Sequence, residues 1–311
     1  MSLVEKALEK LRAGDQGDGK DARARAPREA TAPAAERFPA VRETFTQEQA
    51  RRTIKIDERA LRAAKVLAAE DEVRRAGDEF RAIKREIIDS AFKEGGAGTF
   101  ERRLVVMTSA LPGDGKTQTS VNLALSIAQE RDSSVVLIDG DVAKPHVSQL
   151  FGLSEEPGLL DLLSSPDKDV RSVLLATDRP NLWILPAGRR SEIATELLAS
   201  QRMREVCEQL AALLPQAVLL LDSPPLLVTS EAGVLASIAG QVVVVVKAGE
   251  TPRQAVIDAI SRIDDQDRLK MVLNQTHARG AGSYYYGNWL APGAQAHNDE
   301  PVPFGSSHRR E

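Results

Sequence analysis

The chain has 311 residues, enough for one large core with extensions, and its 42% hydrophobic and 28% charged content is that of a soluble globular protein. A net charge of −4 argues against sequence-independent nucleic-acid binding, which needs a basic surface. The single cysteine, Cys207, excludes an internal disulfide, and the scattered His146, His277, His297 and His308 have no metal-ligand spacing.

Residues 1–6 carry an acid and lack the apolar core of a leader peptide. Within 3–12, Leu3, Val4, Ala7, Leu8 and Leu11 recur at helical spacing, which predicts a short amphipathic helix over 1–12, either frayed alone or docked on a partner. Residues 13–52 are rich in Ala, Arg, Asp, Glu and Pro with few large apolar side chains, and read as a disordered linker. A helical segment before the main domain is expected over 53–98: Val73, Ala76, Phe80, Ile83 and Ile87 share one helical face, and Gly95, Gly96 and Gly98 end it.

From residue 99 to 277 short apolar runs alternate with helical stretches. Strands are expected at 104–108, 135–138, 183–185, 218–221, 242–246 and 271–273, each continuously apolar, with helices at 117–129, 191–214 and 252–263. Cys207 lies on the apolar side of the second of these and reads as a core residue. Strands apolar on both faces and separated by helices predict an α/β fold with a mostly parallel sheet covered on both sides. No run reaches the ~20 apolar residues of a membrane helix, so a cytoplasmic protein is expected, with any membrane contact made through a partner. Residues 278–311 are rich in Gly, Pro and Ser and read as a flexible tail. That tail carries all three tyrosines of the chain in one run, Tyr284, Tyr285 and Tyr286.

Between the first strand and the first helix stands Ala110-Leu111-Pro112-Gly113-Asp114-Gly115-Lys116-Thr117, followed by Gln118. Glycines at 113 and 115 let the backbone approach phosphates, so that amide N–H groups and a helix N-terminus face the anion. Lys116 would lie between the β- and γ-phosphates and Thr117 would place its hydroxyl on Mg²⁺. The general pattern has glycine where this chain has Ala110, and Pro112-Gly113 is expected to supply the turn. The second strand ends in Asp139-Gly140-Asp141 and the fourth in Asp222-Ser223-Pro224-Pro225, carboxylates at the sheet edge where α/β proteins bind ligands. Asn274 ends the last strand, where it would read an adenine edge or cap a turn. Phosphoryl transfer needs positioning and charge neutralisation, and a tyrosine hydroxyl of pKa about 10 needs a carboxylate nearby to take its proton.

The set Pro112-Gly113-Asp114-Gly115-Lys116-Thr117, Val136-Leu137-Ile138-Asp139-Gly140-Asp141 and Leu219-Leu220-Leu221-Asp222-Ser223-Pro224-Pro225 resembles the Walker A, A′ and B motifs of bacterial tyrosine kinases, over roughly residues 75–290. Within that family it is most similar to the exosortase-associated tyrosine autokinases of exopolysaccharide gene clusters, which share the Asp-x-Asp-Val-Ala-Lys-Pro of 139–145. The resemblance implies a P-loop fold and an ATP- and Mg²⁺-dependent autokinase regulating exopolysaccharide synthesis. Asp139 would be the catalytic carboxylate and a metal ligand, Asp141 its support, Asp222 a Mg²⁺ ligand through water, and Tyr284, Tyr285 and Tyr286 the phosphoacceptors. It also implies a homo-oligomer and an activating transmembrane polysaccharide co-polymerase. Asp78, Arg81 and Lys84 hold the spacing of the family's ring-forming Glu-x-x-Arg-x-x-Arg with two substitutions, and Ala143 stands where many members have arginine. The alternatives are a partitioning- or division-type P-loop switch, whose early loop lysine is replaced here by Ala110 and Leu111, and a nucleotide-binding regulator that has lost catalysis.

Overall fold

Apolar β-branched runs build the centre of the molecule. The computed structural model describes residues 53–68, 73–92 and 100–276, all within one compact unit. The expected helix at 1–12, the linker at 13–52 and the tyrosine tail at 278–311 lie outside the described residues.

Seven strands form one sheet: β1 (Leu104–Ser109), β2 (Ser134–Asp139), β3 (Leu175–Ala176), β4 (Leu182–Leu185), β5 (Ala217–Asp222), β6 (Gln241–Lys247) and β7 (Leu269–Asn274). Their order is β3-β4-β2-β5-β1-β6-β7. All neighbours pair in parallel except β3 with β4. β1 and β5 are buried along their whole length, because each face meets helices. The alternation of the strand splits them between two cores. Leu104 and Val106 of β1 enter one, with Trp183, Leu219 and Val244. Val105 and Met107 enter the other, with Leu137, Leu220 and Val243.

The helices are α1 (Glu58–Ala63), α2 (Val73–Phe92), α3 (Phe100–Arg103), α4 (Lys116–Ile127), α5 (His146–Leu150), α6 (Leu159–Ser164), α7 (Ala194–Leu198), α8 (Gln201–Leu213), α9 (Ser230–Ile238) and α10 (Arg253–Ile260). α2 and α4 cover one face. Ile87 and Ala91 are buried there, with Phe80 and Ile83 packed beside them, the stripe expected from the sequence. Three polar ties fix α2. Lys84 Nζ reaches Ser126 O at 3.4 Å and pairs with Glu130, Gln241 Nε2 donates to Ile87 O at 3.2 Å, and Glu86 pairs with Lys270 of β7 at 2.7 Å. α6, α8 and α9 cover the opposite face through Leu159, Leu162, Val206, Leu210 and Leu235, and Cys207 is buried among them.

The structure differs from the expectations in several places. β7, expected to be covered on both faces, is the edge strand of the sheet, and its Met271 and Leu273 are more than half exposed; α5, α6 and α9 were not expected. The described residues of the segment expected over 53–98 hold two separate helices, and Lys65, with φ 57, follows the end of α1. The helix expected over 191–214 is broken at Ser200, whose hydroxyl donates back to Leu197 O at 2.6 Å while its backbone turns extended (ψ 159). β3, only two residues long, has no periodicity of its own. It forms because β4 and Ile54 offer it partners on either side, Ile54 N donating to Ala176 O at 2.8 Å.

Candidate active site

β1 delivers the chain to the phosphate loop at the C-terminal edge of the sheet. Gly113 (φ 89) and Gly115 (φ 93) adopt left-handed backbone that a side chain would strain, and the turn falls at Pro112-Gly113 as the sequence implies. Ala110 is fully buried beneath it. Asp114 is buried and holds the loop in shape. One carboxylate oxygen accepts from Leu111 N at 3.1 Å, and the other accepts from Thr251 Oγ1 at 2.6 Å. Its carbonyl accepts from Asn274 Nδ2 at 3.0 Å, so the ends of β6 and β7 both brace the loop. A Cβ on Gly115 would run into the Asn274 amide. Beside the loop lies a cavity of about 910 Å³ between α2 and the end of β7, lined by Phe80, Ile83, Gln118, Asn122 and Asn274 among others.

α4 opens at Lys116, and its first turn points at three carboxylates. Lys116 Nζ lies 2.9 Å from Asp141 Oδ2 and 3.7 Å from Asp222 Oδ2. Thr117 Oγ1 donates to Asp222 Oδ2 at 2.7 Å, and Ser120 Oγ lies 2.9 Å from Asp222 Oδ1. Asp139 and Asp222 are direct partners at the ends of β2 and β5. This register places the A′ and B carboxylates side by side, next to the loop that leaves β1. Gly140 permits it, since a Cβ there would meet Leu221 and the Asp222 carbonyl. Asp139 is held by one oxygen only. Oδ2 accepts from both the N–H and the hydroxyl of Ser148, each at 2.7 Å, while Oδ1 is buried without a partner.

The electrostatics follow from crowding three buried acids around one ammonium. Burial pushes the Asp139 carboxyl up to about 7, with Asp222 and Asp141 adding to the rise and the two Ser148 bonds opposing it. Burial also raises Asp222, against the pull of Lys116, Thr117 and Ser120. The Lys116 ammonium is held above its ordinary value, because Asp222, Asp141 and Asp139 together outweigh its desolvation. A nucleotide and a hard cation fit this arrangement. The open lone pair of Asp139 and the Thr117–Asp222 pair offer oxygen donors of the kind Mg²⁺ prefers. Among the described residues no group of three or more His, Cys, Asp or Glu could hold a metal unaided, so the remaining ligands must be phosphate and water.

The structure thus brings Pro112 through Gln118, Asp139, Asp141, Asp222 and Asn274 to one sheet edge. Tyr284, Tyr285 and Tyr286 lie outside the described residues. Of the ring-motif positions, Asp78 and Arg81 are exposed and pair with each other, whereas Lys84 is buried against its own chain. Ala143 is exposed beyond β2. Three contributors were not singled out from the sequence. Ser120 had a signal, since it lies one helical turn beyond Lys116 and Thr117. Ser148 and Thr251 had none, because only the fold carries them to Asp139 and Asp114.

No family model matches the chain. The chain is 32% identical over 206 residues to a putative tyrosine-protein kinase EpsB of Ralstonia nicotianae, covering 62% of this chain and 27% of the relative. It is 31% identical over 159 residues to tyrosine-protein kinase YwqD of Bacillus subtilis, covering 51% of this chain and 65% of the relative. It therefore spans less than two thirds of either curated relative. The crystal structure of the VpsO kinase domain superposes with a TM-score of 0.55 at 30% identity, covering 67% of this chain and all (100%) of that domain. With a parallel sheet, a phosphate loop and paired carboxylates at adjacent strand ends, and with that whole-domain match, the chain belongs to the bacterial tyrosine-kinase family of P-loop proteins.

Proposed function

We propose that the protein is an ATP-dependent tyrosine autokinase whose acceptors are Tyr284, Tyr285 and Tyr286, and that it regulates exopolysaccharide synthesis or export. The observation that carries this reading is the buried Asp139, fixed through one oxygen and open at the other, beside Lys116 and Asp222. A P-loop switch that only hydrolyses nucleotide has to orient a water; a tyrosine acceptor calls for a base that can take a phenol proton.

Bound ATP with Mg²⁺ supplies the transferable phosphoryl group and neutralises its charge. Lys116 and the amides of 112–118 would bind the phosphates, Thr117, Asp139 and Asp222 would hold the ion, and Gln118 and Asn274 line the cavity available to the base. Lys116, paired with Asp141 in this structure, would bind the phosphate oxygens when nucleotide is present, and Asp141 would support the metal site. Ser148 fixes Asp139 through Oδ2, and the unpartnered Oδ1 is the oxygen that would take the acceptor proton. In the nucleotide-free site burial pushes that carboxyl up to about 7, and it is the group that would accept the tyrosine proton. The same reading includes a homo-oligomer and a transmembrane polysaccharide co-polymerase as activator, with the kinase peripheral at the inner membrane. Among the described residues no helix is long and apolar enough to cross a membrane, and the reading assigns the membrane contact to that partner.

The test is to incubate the purified chain with Mg-ATP and map modified residues by mass spectrometry. Phosphate on 284–286, absent from Lys116→Met, is expected. Sustained ATP hydrolysis with those tyrosines unmodified would favour a switch over a kinase.

A further inference from the structure

Exposed cations follow β4, the strand that pairs with β2, at whose end Asp139 stands. Beyond β4 the chain continues through 186–193, and this segment is hooked to the catalytic carboxylate. Ala187 N donates to Ser148 Oγ at 3.0 Å, and that hydroxyl lies 2.7 Å from Asp139 Oδ2. Gly188 (φ 85) packs against Gly158 and Asp161 so closely that a Cβ would collide with both. Arg189 N then donates to Asp161 Oδ2 at 3.1 Å, an oxygen that also accepts from Gly158 N at 3.0 Å. The backbone is held, yet the side chains of Arg189 and Arg190 are exposed, and among the described residues neither makes a side-chain hydrogen bond or ion pair. Glu192 is the one acid in 187–193, and Lys144, beyond β2, is also exposed.

We propose that Arg189 and Arg190 form an anion subsite beside the acceptor position, which takes the phosphate of a tyrosine already modified in the 284–286 run of a second copy of the chain. The proposal rests on the autokinase reading. Three consecutive tyrosines mean that every transfer after the first brings in an acceptor whose neighbour already carries about −1.5 to −2 charges. The floor of the site is Asp139, Asp141 and Asp222, and Lys116, which pairs with Asp141 and Asp222 in the nucleotide-free structure, would be taken up by the nucleotide phosphates during transfer. Without a cation outside that floor, the second acceptor would be repelled by the carboxylates that must act on it. Arg189 is two residues from Ala187, so its Cα lies within roughly 7 Å of the residue bonded to Ser148, and its long side chain extends that reach by about one residue's length along the tail. The guanidinium fork matches phosphate oxygens, and an exposed arginine can release and rebind as the tail advances.

The experiment compares wild type with the Arg189→Gln, Arg190→Gln double variant, which leaves Lys116 and the three aspartates untouched. Two probes of the sequence of residues 280–291 are used, one unmodified and one phosphorylated at Tyr285, and binding to the full-length chain is read by fluorescence anisotropy. Wild type should bind the phosphorylated probe about five- to tenfold more tightly, as charge-assisted contacts to phosphate permit, and the preference should shrink with salt. The double variant should bind both probes alike. In Mg-ATP, intact-mass spectra of the double variant should show the first phosphate appearing at the wild-type rate and the second and third lagging several-fold. Equal binding of both probes by wild type, a preference retained by the variant, or a first phosphate slowed as much as the later ones would each overturn the proposal. If wild type adds no phosphate at all, the autokinase reading fails, and the binding comparison alone decides whether the arginines form an anion subsite.

Discussion

Lys116 and Asp139 carry opposite burdens in the empty and the loaded site. Lys116 is the cation that offsets Asp141 and Asp222 at 2.9 and 3.7 Å. Lys116→Met should therefore abolish ATP turnover and autophosphorylation and also destabilise the nucleotide-free fold by about 3–5 kcal/mol, because buried carboxylates lose their partner. Urea unfolding at pH 8 with and without Mg-ATP checks both halves; wild-type hydrolysis by the variant would remove the lysine from the phosphate site. Asp139→Asn should keep nucleotide affinity within about tenfold, since the loop amides remain, and lower turnover by roughly a hundredfold or more, the scale of a lost general base. Its effect on stability has a defined sign. The Asp139 carboxyl sits at about 7 in the fold against an ordinary value near 3.9, so its contribution is complete below about pH 4 and is lost as pH rises through about 7. The asparagine resembles the protonated acid, so the nucleotide-free variant should exceed wild type in stability above pH 7, by on the order of a few kcal/mol, and match it near pH 4. Asp222, raised as well, should keep part of the slope in the variant. Thermal melts across pH 5–8 that stay parallel for the two proteins would contradict this account.

At the scale of elements, the phosphate loop has its shape because β6 and β7 grip it from the far side. Thr251, 137 positions from Asp114 in the sequence, donates to its carboxylate, and Asn274 donates to its carbonyl. Gly115→Ala should therefore be far more harmful than its size implies. It demands φ 93 of a side-chain-bearing residue and drives the new methyl into the Asn274 amide. We expect a loss of nucleotide binding of at least tenfold by titration calorimetry, with a fold destabilised by about 1–2 kcal/mol. Near-normal binding would mean that the loop is not held as described. The phosphate loop itself was legible from the sequence, because a strand, two glycines and a helix start are all local signals. Its bracing was not, since nothing near residue 251 or 274 announces a partner at 114.

For the whole molecule, the relation between the tyrosine run and the site is the main consequence of the proposed function. A tail reaches whichever site its geometry brings closest, and a neighbouring subunit is favoured where the oligomer places it nearer. We expect transfer in trans. The measurement mixes a Lys116→Met chain with an active chain whose Tyr284, Tyr285 and Tyr286 are all phenylalanine, and follows phosphate by mass spectrometry. Label on the tyrosines of the inactive chain supports transfer between subunits; its absence, while wild type labels normally, favours transfer within one chain. Arg189 and Arg190 would hold a first phosphate, but a run phosphorylated on all three tyrosines brings more charge beside Asp139 and Asp222 than two arginines offset, so completed phosphorylation should promote release and lower the oligomeric mass seen by light scattering.

The sequence alone determined the parallel α/β layering, because strands buried on both faces must be apolar throughout, as Val135 through Ile138 and Val242 through Val246 are. It also determined which residues end those strands, and so the candidate loop and carboxylates. Strand order was beyond it. Only the tertiary structure set β2 beside β5 and β5 beside β1, and that adjacency is what turns three separate motifs into one site. It alone drew Lys84 inward to Ser126 and Glu130, broke the helix at Ser200, and chose Ser148 to hold one oxygen of Asp139 while leaving the other open. The physical reason is the same in each case. Burial patterns and turn chemistry act over a few residues and are written in the local sequence, whereas the partner of a buried polar group is decided by which distant segment the packed sheet brings within about 3 Å of it.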